Sequence, residues 1–135
     1  MGLDLGSRRI GIALSDSLGL TAQRLTVLER RDPQQDLAEI TALARTHEVG
    51  AIVVGLPLTL GGQTGRQATE ILRFVEALRG TVTCPVQVLD ERLTTVEGER
   101  SLIAAGTRRR KRKQLIDQVA AQLILQAYLD AHRTR

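Results

Sequence analysis

The sequence predicts an α/β fold: a five-stranded mixed sheet, with its first three strands antiparallel and with helices packed on it. Two observations support this fold class. Three strand-like segments come first, and strand-like and helix-like segments then alternate along the chain. One later segment, residues 51–55, is a continuous apolar run, which is typical of a strand buried on both faces. The 135 residues suit one domain, residues 1–135, with a single hydrophobic core.

The first sixteen residues are predicted to form a β-hairpin. Leu3 and Leu5 flank Asp4 in a short strand, residues 6–9 form the turn, and residues 10–14 form the return strand. Asp4 therefore points to the opposite face of the sheet from the two leucines. If that face is covered, the carboxylate requires a partner, for which a metal ion is one candidate. If it faces water, Asp4 is an ordinary solvated residue.

Caps, breakers and apolar spacing predict the other elements. A third strand is expected over residues 24–29, and a helix begins after Asp32 with Pro33 at its first position and ends at Gly50. The remaining predicted elements are a strand over residues 51–55, a glycine-containing loop over residues 56–65, a helix from about Arg66 to Arg79, a strand over residues 85–89, a helix from Thr94 to Gly106, and a last helix from about Gln114 to His132.

Positive charge is concentrated in one segment. The chain has 19 Lys and Arg against 15 Asp and Glu, and six of the cations are consecutive: Arg108, Arg109, Arg110, Lys111, Arg112 and Lys113. Without these six, 13 cations face 15 acids, a balance of −2. Such a run is typical of a solvated loop. Six adjacent cations repel one another unless phosphate is near, so the run favours contact with nucleic acid over a loop that only increases solubility. With Phe74 and Tyr128 as its only aromatic residues, the chain is expected to bind the phosphate backbone and not to stack bases.

Composition excludes several other classes of protein. No apolar run approaches the roughly 20 residues of a transmembrane helix, and Asp4 stands where a signal peptide would be apolar. The single cysteine, Cys84, excludes an internal disulfide framework and fits a reducing cytoplasm. His47 and His132 are far apart in the sequence, so a zinc site is not expected. Any metal would be held by carboxylates, which favours Mg²⁺ or Mn²⁺.

Acidic residues follow the last predicted strand and recur in the last helix. Asp90 and Glu91 stand at a strand end, where turns also use acids, and Asp117 shares the helix face of the apolar stripe that includes Ala120 and Ile124. Taken alone, Asp117 is better explained as an acid at a helix terminus, where it caps the helix or faces its positive end. Together with Asp4, however, Glu91 and Asp117 could converge to hold two divalent ions about 4 Å apart, as phosphodiester hydrolysis requires.

Seven segments, in order along almost the whole chain, resemble the YqgF family, also called RuvX, of ribonuclease H-like nucleases. The segments are Gly2-Leu-Asp-Leu-Gly6, Arg9-Ile-Gly-Ile-Ala-Leu-Ser-Asp16, Val53-Val-Gly-Leu-Pro-Leu58, Gly61-Gly-Gln-Thr-Gly65, Asp90-Glu-Arg-Leu-Thr-Thr95, Ile116-Asp-Gln-Val-Ala-Ala121 and Ile124-Leu-Gln-Ala-Tyr-Leu129. The resemblance implies a ribonuclease H-like fold, a cytoplasmic location and a Mg²⁺- or Mn²⁺-dependent nuclease with Asp4, Glu91 and Asp117 as catalytic, metal-binding acids. The family is described both as a nuclease that matures the 16S ribosomal RNA precursor and as a Holliday junction resolvase. Where resolvases of the RuvC type carry an acid at the end of the fourth strand, this chain has Gly55, so Glu91 would have to substitute.

Two further arginines are expected to lie beside these acids. Arg9 and Arg92 could contact phosphates; their ordinary alternatives are a turn residue and a surface ion pair. Asp4-Leu-Gly-Ser7 also resembles the phosphate loop of actin-like ATPases, but those proteins require a second domain. A non-catalytic RNA-binding module that uses only the basic run is the third hypothesis. The resemblance to the family is the only feature of the sequence that favours RNA over DNA as the partner. The sequence does not decide between a monomer and a homodimer.

Overall fold

One five-stranded sheet, in the order β3-β2-β1-β4-β5, forms the centre of the computed structural model. Strand β1 pairs antiparallel with β2 and parallel with β4, β2 pairs antiparallel with β3, and β4 pairs parallel with β5. The predicted mixed sheet with three antiparallel first strands is therefore confirmed. The strands are β1 (Gly2–Leu5), β2 (Arg9–Ser15), β3 (Ala22–Glu29), β4 (Ile52–Leu56) and β5 (Val86–Asp90). The structure describes residues 1–58, 65–93 and 109–133, and for residues 93, 109–115 and 133 it describes the backbone alone.

Helices cover both faces of the sheet and produce two apolar clusters. The helices are α1 (Pro33–Thr46), α2 (Arg66–Arg79) and α3 (Arg109–Arg133), and a 3₁₀ turn, Glu91–Leu93, directly follows β5. Leu3, Leu5 and Ile12 pack with residues of α1 and α2 on one face. Ala13 and Val53 pack with residues of α3 on the other face. Within the described residues, no helix combines the length and the apolar character required to cross a membrane.

Helix α1 begins as its sequence predicts but ends earlier. The Asp32 side chain accepts a hydrogen bond from the Gln35 backbone N–H at 2.9 Å, and Pro33 is the first helical residue. The predicted end at Gly50 is wrong, because the helix stops at Thr46 and Glu48 turns into the left-handed region with φ 51°. The Val49 N–H then donates to the Ala44 carbonyl at 2.9 Å, which satisfies a carbonyl that the terminated helix leaves open.

Helix α3 begins at Arg109, five residues before the predicted start at Gln114. The prediction of a solvated loop is therefore wrong for residues 109–113, which belong to the helix. Arg and Lys are strong helix formers, and residues 107–133 contain neither Gly nor Pro, so helix propensity prevails over repulsion between the cations. Arg108, the predicted helix from residue 94 to 106 and residues 59–64 of the glycine-containing loop lie outside the described residues.

A buried acid, Asp36, connects the start of α1 to the end of β3. Its side chain is 2% exposed and accepts hydrogen bonds from the Arg31 N–H at 3.0 Å and from Arg30 Nε at 3.3 Å. The Arg30 guanidinium also donates to the Gly6 carbonyl at 3.0 Å and lies 5.7 Å from the centre of the Phe74 ring. These contacts fix the turn that follows β1 against α1 and α2.

We expect Asp36→Ala to lower the free energy of unfolding by about 2–3 kcal/mol, because it leaves the Arg30 cation without its buried partner. Removing one partner of a fully buried ion pair typically costs roughly 3–5 kcal/mol. The loss expected here is at the lower end of that range or below it, because the Arg30 side chain is 26% exposed. Urea denaturation of both proteins measures the difference. Gln34→Ala, at an exposed position of the same helix turn, is the control and should change stability by less than about 0.5 kcal/mol. An equal effect of the two substitutions would contradict the importance of the pair.

Candidate active site

Asp4 lies between two glycines on the side of the sheet that α3 covers. Gly11 of β2 is its antiparallel partner. On the other side, Gly2 pairs with Val53 and Leu3 with Val54, so Gly55 of β4 is its neighbour when this parallel register continues by one residue. A Cβ atom at position 11 would overlap the main-chain carbonyl of Asp117, and one at position 55 would lie 2.8 Å from Glu91 Oε1. The absence of side chains at Gly11 and Gly55 therefore makes room for Asp117 and Glu91 on either side of Asp4.

The structure places the three predicted acids on the same side of the sheet. Asp4 points away from the cluster that contains Leu3 and Leu5, as its alternation predicted, and is 6% exposed because α3 covers this side. Glu91, at the start of the 3₁₀ turn after β5, is also 6% exposed, and its carboxylate lies above Gly55. Asp4 therefore lies on a covered face of the sheet and not on a face exposed to water.

Asp117 pairs with an arginine of the sheet. Arg9 Nε donates to Asp117 Oδ2 at 2.9 Å, and the two side chains are 19% and 16% exposed. Among the described residues, no group of three or more His, Cys, Asp or Glu side chains stands close enough together to hold a metal ion. The backbone thus brings Asp4, Glu91 and Asp117 to the same side of the sheet, while the Asp117 carboxylate is engaged by Arg9.

The donor set of this site suits hard divalent cations. Asp4 and Glu91 are two of the three charged or polar side chains that are buried in the described part of the chain. Carboxylate oxygens are the ligands that Mg²⁺ and Mn²⁺ prefer, and buried carboxylates are favoured by a nearby cation. The buried carboxylates of this site are therefore chemically suited to bind a divalent cation.

Arg92 and Asp90 form an ion pair beside the site. Arg92 Nε lies 3.0 Å from both carboxylate oxygens of Asp90, and its terminal nitrogen lies 2.6 Å from Oδ2. This guanidinium holds the pKa of Asp90 below its usual range. Leu89 belongs to the cluster under α3, so Asp90 points to the other face of the sheet from Leu89. The structure therefore separates the position of Asp90 from that of Glu91.

A sequence model of the family described as "RuvX: Holliday junction resolvase" matches residues 1–131. The chain belongs to the RuvX family. The resemblance found in the sequence motifs is thereby confirmed.

Relatives of known description share about half of their residues with this RuvX family member. A Myxococcus xanthus protein is 47% identical over 133 residues, which cover 98% of this chain and 88% of the relative. A Moorella thermoacetica protein is 51% identical over 130 residues, covering 96% of this chain and 93% of the relative. Both relatives carry the description "Putative pre-16S rRNA nuclease".

Solved structures with the same fold come from Holliday junction resolvases. Thermus thermophilus RuvC in complex with a Holliday junction has a TM-score of 0.59 at 15% identity, covering 98% of this chain and 94% of RuvC. The Fowlpox virus resolvase in complex with junction DNA has a TM-score of 0.53 at 9% identity, covering 97% and 96% of the two chains. At such identities the likeness establishes the fold, and the predicted ribonuclease H-like fold is confirmed.

Proposed function

We propose that this RuvX family member is a nuclease that hydrolyses phosphodiester bonds with Mg²⁺ or Mn²⁺ and acts on the 5′ end of the 16S ribosomal RNA precursor. The observation that carries the proposal is the row Gly11, Asp4 and Gly55, with Asp117 and Glu91 packed above its two glycines. The descriptions of the relatives support the RNA substrate. A cytoplasmic place of action belongs to the same proposal, because ribosomal precursors are processed there.

The three acids have different parts in this hydrolysis. Asp4, in the middle, would hold both cations, while Glu91 and Asp117 would each help to hold one. When bound, two divalent ions stabilise the attacking and the leaving oxygens of the phosphodiester. The chain contributes rigid placement: Asp4 comes from a strand paired on both sides, and Glu91 follows β5 without an intervening loop. Their burial keeps competing water away from the carboxylates.

The basic run supports binding of substrate next to these acids. Residues 109–113 open α3, and Asp117 follows Lys113 by four residues, or about one helical turn. A helix amino terminus favours anions, so five cations at that end are placed unfavourably unless a phosphate backbone neutralises them. The run would therefore bind substrate phosphates and place a phosphodiester near Asp117, with little information about sequence.

Replacing residues 108–113 by neutral residues is expected to weaken binding to similar extents for different nucleic-acid sequences. Each phosphate contact that is lost should reduce the log–log salt slope by about 0.9 for duplex DNA, and by about 0.7 for single strands. Titrations between low and moderate salt measure both affinity and slope. The neutral double variant Arg24→Gln/Arg45→Gln, in two exposed parts of the chain, controls for lost charge. If the slope of the variant with residues 108–113 replaced equals that of wild type, the run does not bind substrate.

A substrate panel tests the proposed function. Purified protein is incubated with labelled 16S precursor RNA, single-stranded RNA, single-stranded DNA and a four-way DNA junction, with Mg²⁺, with Mn²⁺ or with a chelator. Metal-dependent cleavage of the precursor RNA is the expected result. The family description favours one second candidate, a junction resolvase, which would cut the four-way junction preferentially. Binding without cleavage under every condition would instead identify a non-catalytic RNA-binding module.

A further inference from the structure

Arg9 and Asp117 form a contact that bridges the sheet and α3. Arg9 is the first residue of β2, and Asp117 lies 108 residues further along the chain. Arg9 Nε donates to Oδ2 of the carboxylate at 2.9 Å, a length typical of a charge-assisted hydrogen bond. Less than a fifth of either side chain is exposed, so the pair is shielded from the screening that makes surface ion pairs weak.

Packing of the main chain fixes both ends of this contact. Gly11, two residues after Arg9 in the same strand, lies directly under the main-chain carbonyl of Asp117. Because residues i and i+2 of a strand share one face, the Arg9 side chain is directed to the side on which Asp117 lies. The pair is therefore set by the docking of α3 on β2.

The contact uses one of the two carboxylate oxygens. Arg9 engages Oδ2, and within the described residues no hydrogen bond or ion pair reaches Asp117 Oδ1. A carboxylate held in this way keeps one oxygen to offer to a cation. It is also held in one orientation, so a cation that binds it does not have to order the side chain.

We propose that Arg9 is a positioning residue: it holds Asp117 through Oδ2 so that Oδ1 can bind the divalent cation of the active site. This proposal rests on the proposed function, and it replaces the expected contact of Arg9 with a phosphate. The Arg9 cation also offsets part of the charge repulsion between Asp117 and the acids Asp4 and Glu91 on the same side of the sheet. Hydrogen-bond partners of metal ligands commonly contribute about 10- to 100-fold to metal affinity.

Direct Mn²⁺ binding, followed by the electron paramagnetic resonance signal of free Mn²⁺, tests the proposal without relying on cleavage. Arg9→Gln should weaken Mn²⁺ binding by about 10- to 100-fold. Arg9→Lys should fall between Arg9→Gln and wild type, because Lys keeps the charge but lacks the planar guanidinium. Arg8→Gln is the matched control: it removes the same charge at the adjacent, exposed position and should bind Mn²⁺ like wild type. Melting curves without metal show which variants are folded. If Arg9→Gln is not folded, the comparison of Mn²⁺ binding by Arg9→Lys and wild type decides the test.

The possible outcomes separate this proposal from the proposed function. If Arg9→Gln binds Mn²⁺ like Arg8→Gln but binds RNA more weakly, Arg9 contacts phosphate and the proposal is wrong. Tighter Mn²⁺ binding by Arg9→Gln would also overturn it, since Arg9 would then compete with the cation. If wild-type protein neither binds Mn²⁺ nor cleaves any substrate, the metal-dependent nuclease itself is overturned.

Discussion

Asp4→Asn is expected to lower the rate of RNA cleavage by more than about 100-fold, since even outer partners of metal ligands contribute about 10- to 100-fold. Asp4 is the central acid of the site, and its side chain is enclosed by β2, β4 and α3. Asn has nearly the same shape as Asp, so the substitution removes a negative charge without creating a cavity. Initial rates at saturating Mn²⁺ measure the effect.

Stability separates a catalytic loss from unfolding. Without metal, Asp4→Asn reduces the repulsion that Asp4 shares with Glu91 and Asp117, so its melting temperature should equal or exceed that of wild type. Asp32→Asn is the control: it makes the same chemical change at an exposed helix cap, where Asn caps as well as Asp. Undiminished cleavage by Asp4→Asn, or wild-type cleavage in a chelator, would refute the proposed two-metal hydrolysis.

The features predicted correctly from the sequence depend on local periodicity. Alternation in a strand has a period of two, so the opposite faces of Asp4 and Leu3 followed directly from their spacing. Helix α2 runs from Arg66 to Arg79, as the spacing of its apolar residues predicted. Such signals involve neighbouring residues only, and tertiary contacts alter them little.

The features that the sequence did not reveal depend on contacts between distant residues. Asp36 looks like a solvated acid of a first helix turn, but it is buried because Arg30 reaches it from the end of β3. One signal was present, since Asp36 precedes the buried Ile40 by four residues and therefore shares its helix face. The pair of Arg9 with Asp117 had no such signal, because only the docking of α3 on β2 brings the two together.

The glycines beside Asp4 are a second example of information that needs the sheet register. Gly11 and Gly55 are isolated glycines in apolar strands, a pattern that indicates close approach by other groups. Their position on either side of Asp4 is visible only when β1 is paired with both neighbours. The side chains of Glu91 and Ile124 both occupy the space over Gly55, which a side chain at position 55 would take from them.

We expect Gly11→Ala to lower the free energy of unfolding by about 3 kcal/mol, at the upper end of the roughly 1–3 kcal/mol typical of overpacking a core. The added Cβ would overlap the Asp117 carbonyl oxygen and lie 2.6 Å from its carbonyl carbon. These are main-chain atoms, so the clash is relieved only by moving α3 away from β2, and no change of rotamer suffices. Because α3 carries Asp117, cleavage should fall as well, even at temperatures at which the variant is folded.

Gly50→Ala provides the matched control for this experiment. A Cβ atom at position 50 has no atom within 4 Å among the described residues. The substitution should therefore leave cleavage unchanged, and stability unchanged or raised by about 0.4–1 kcal/mol, because Ala restricts the unfolded chain. Urea denaturation and cleavage rates are measured on both variants and on wild type. If Gly11→Ala proved as stable and as active as Gly50→Ala, the close packing of α3 on Gly11 would not be what places Asp117 beside Asp4.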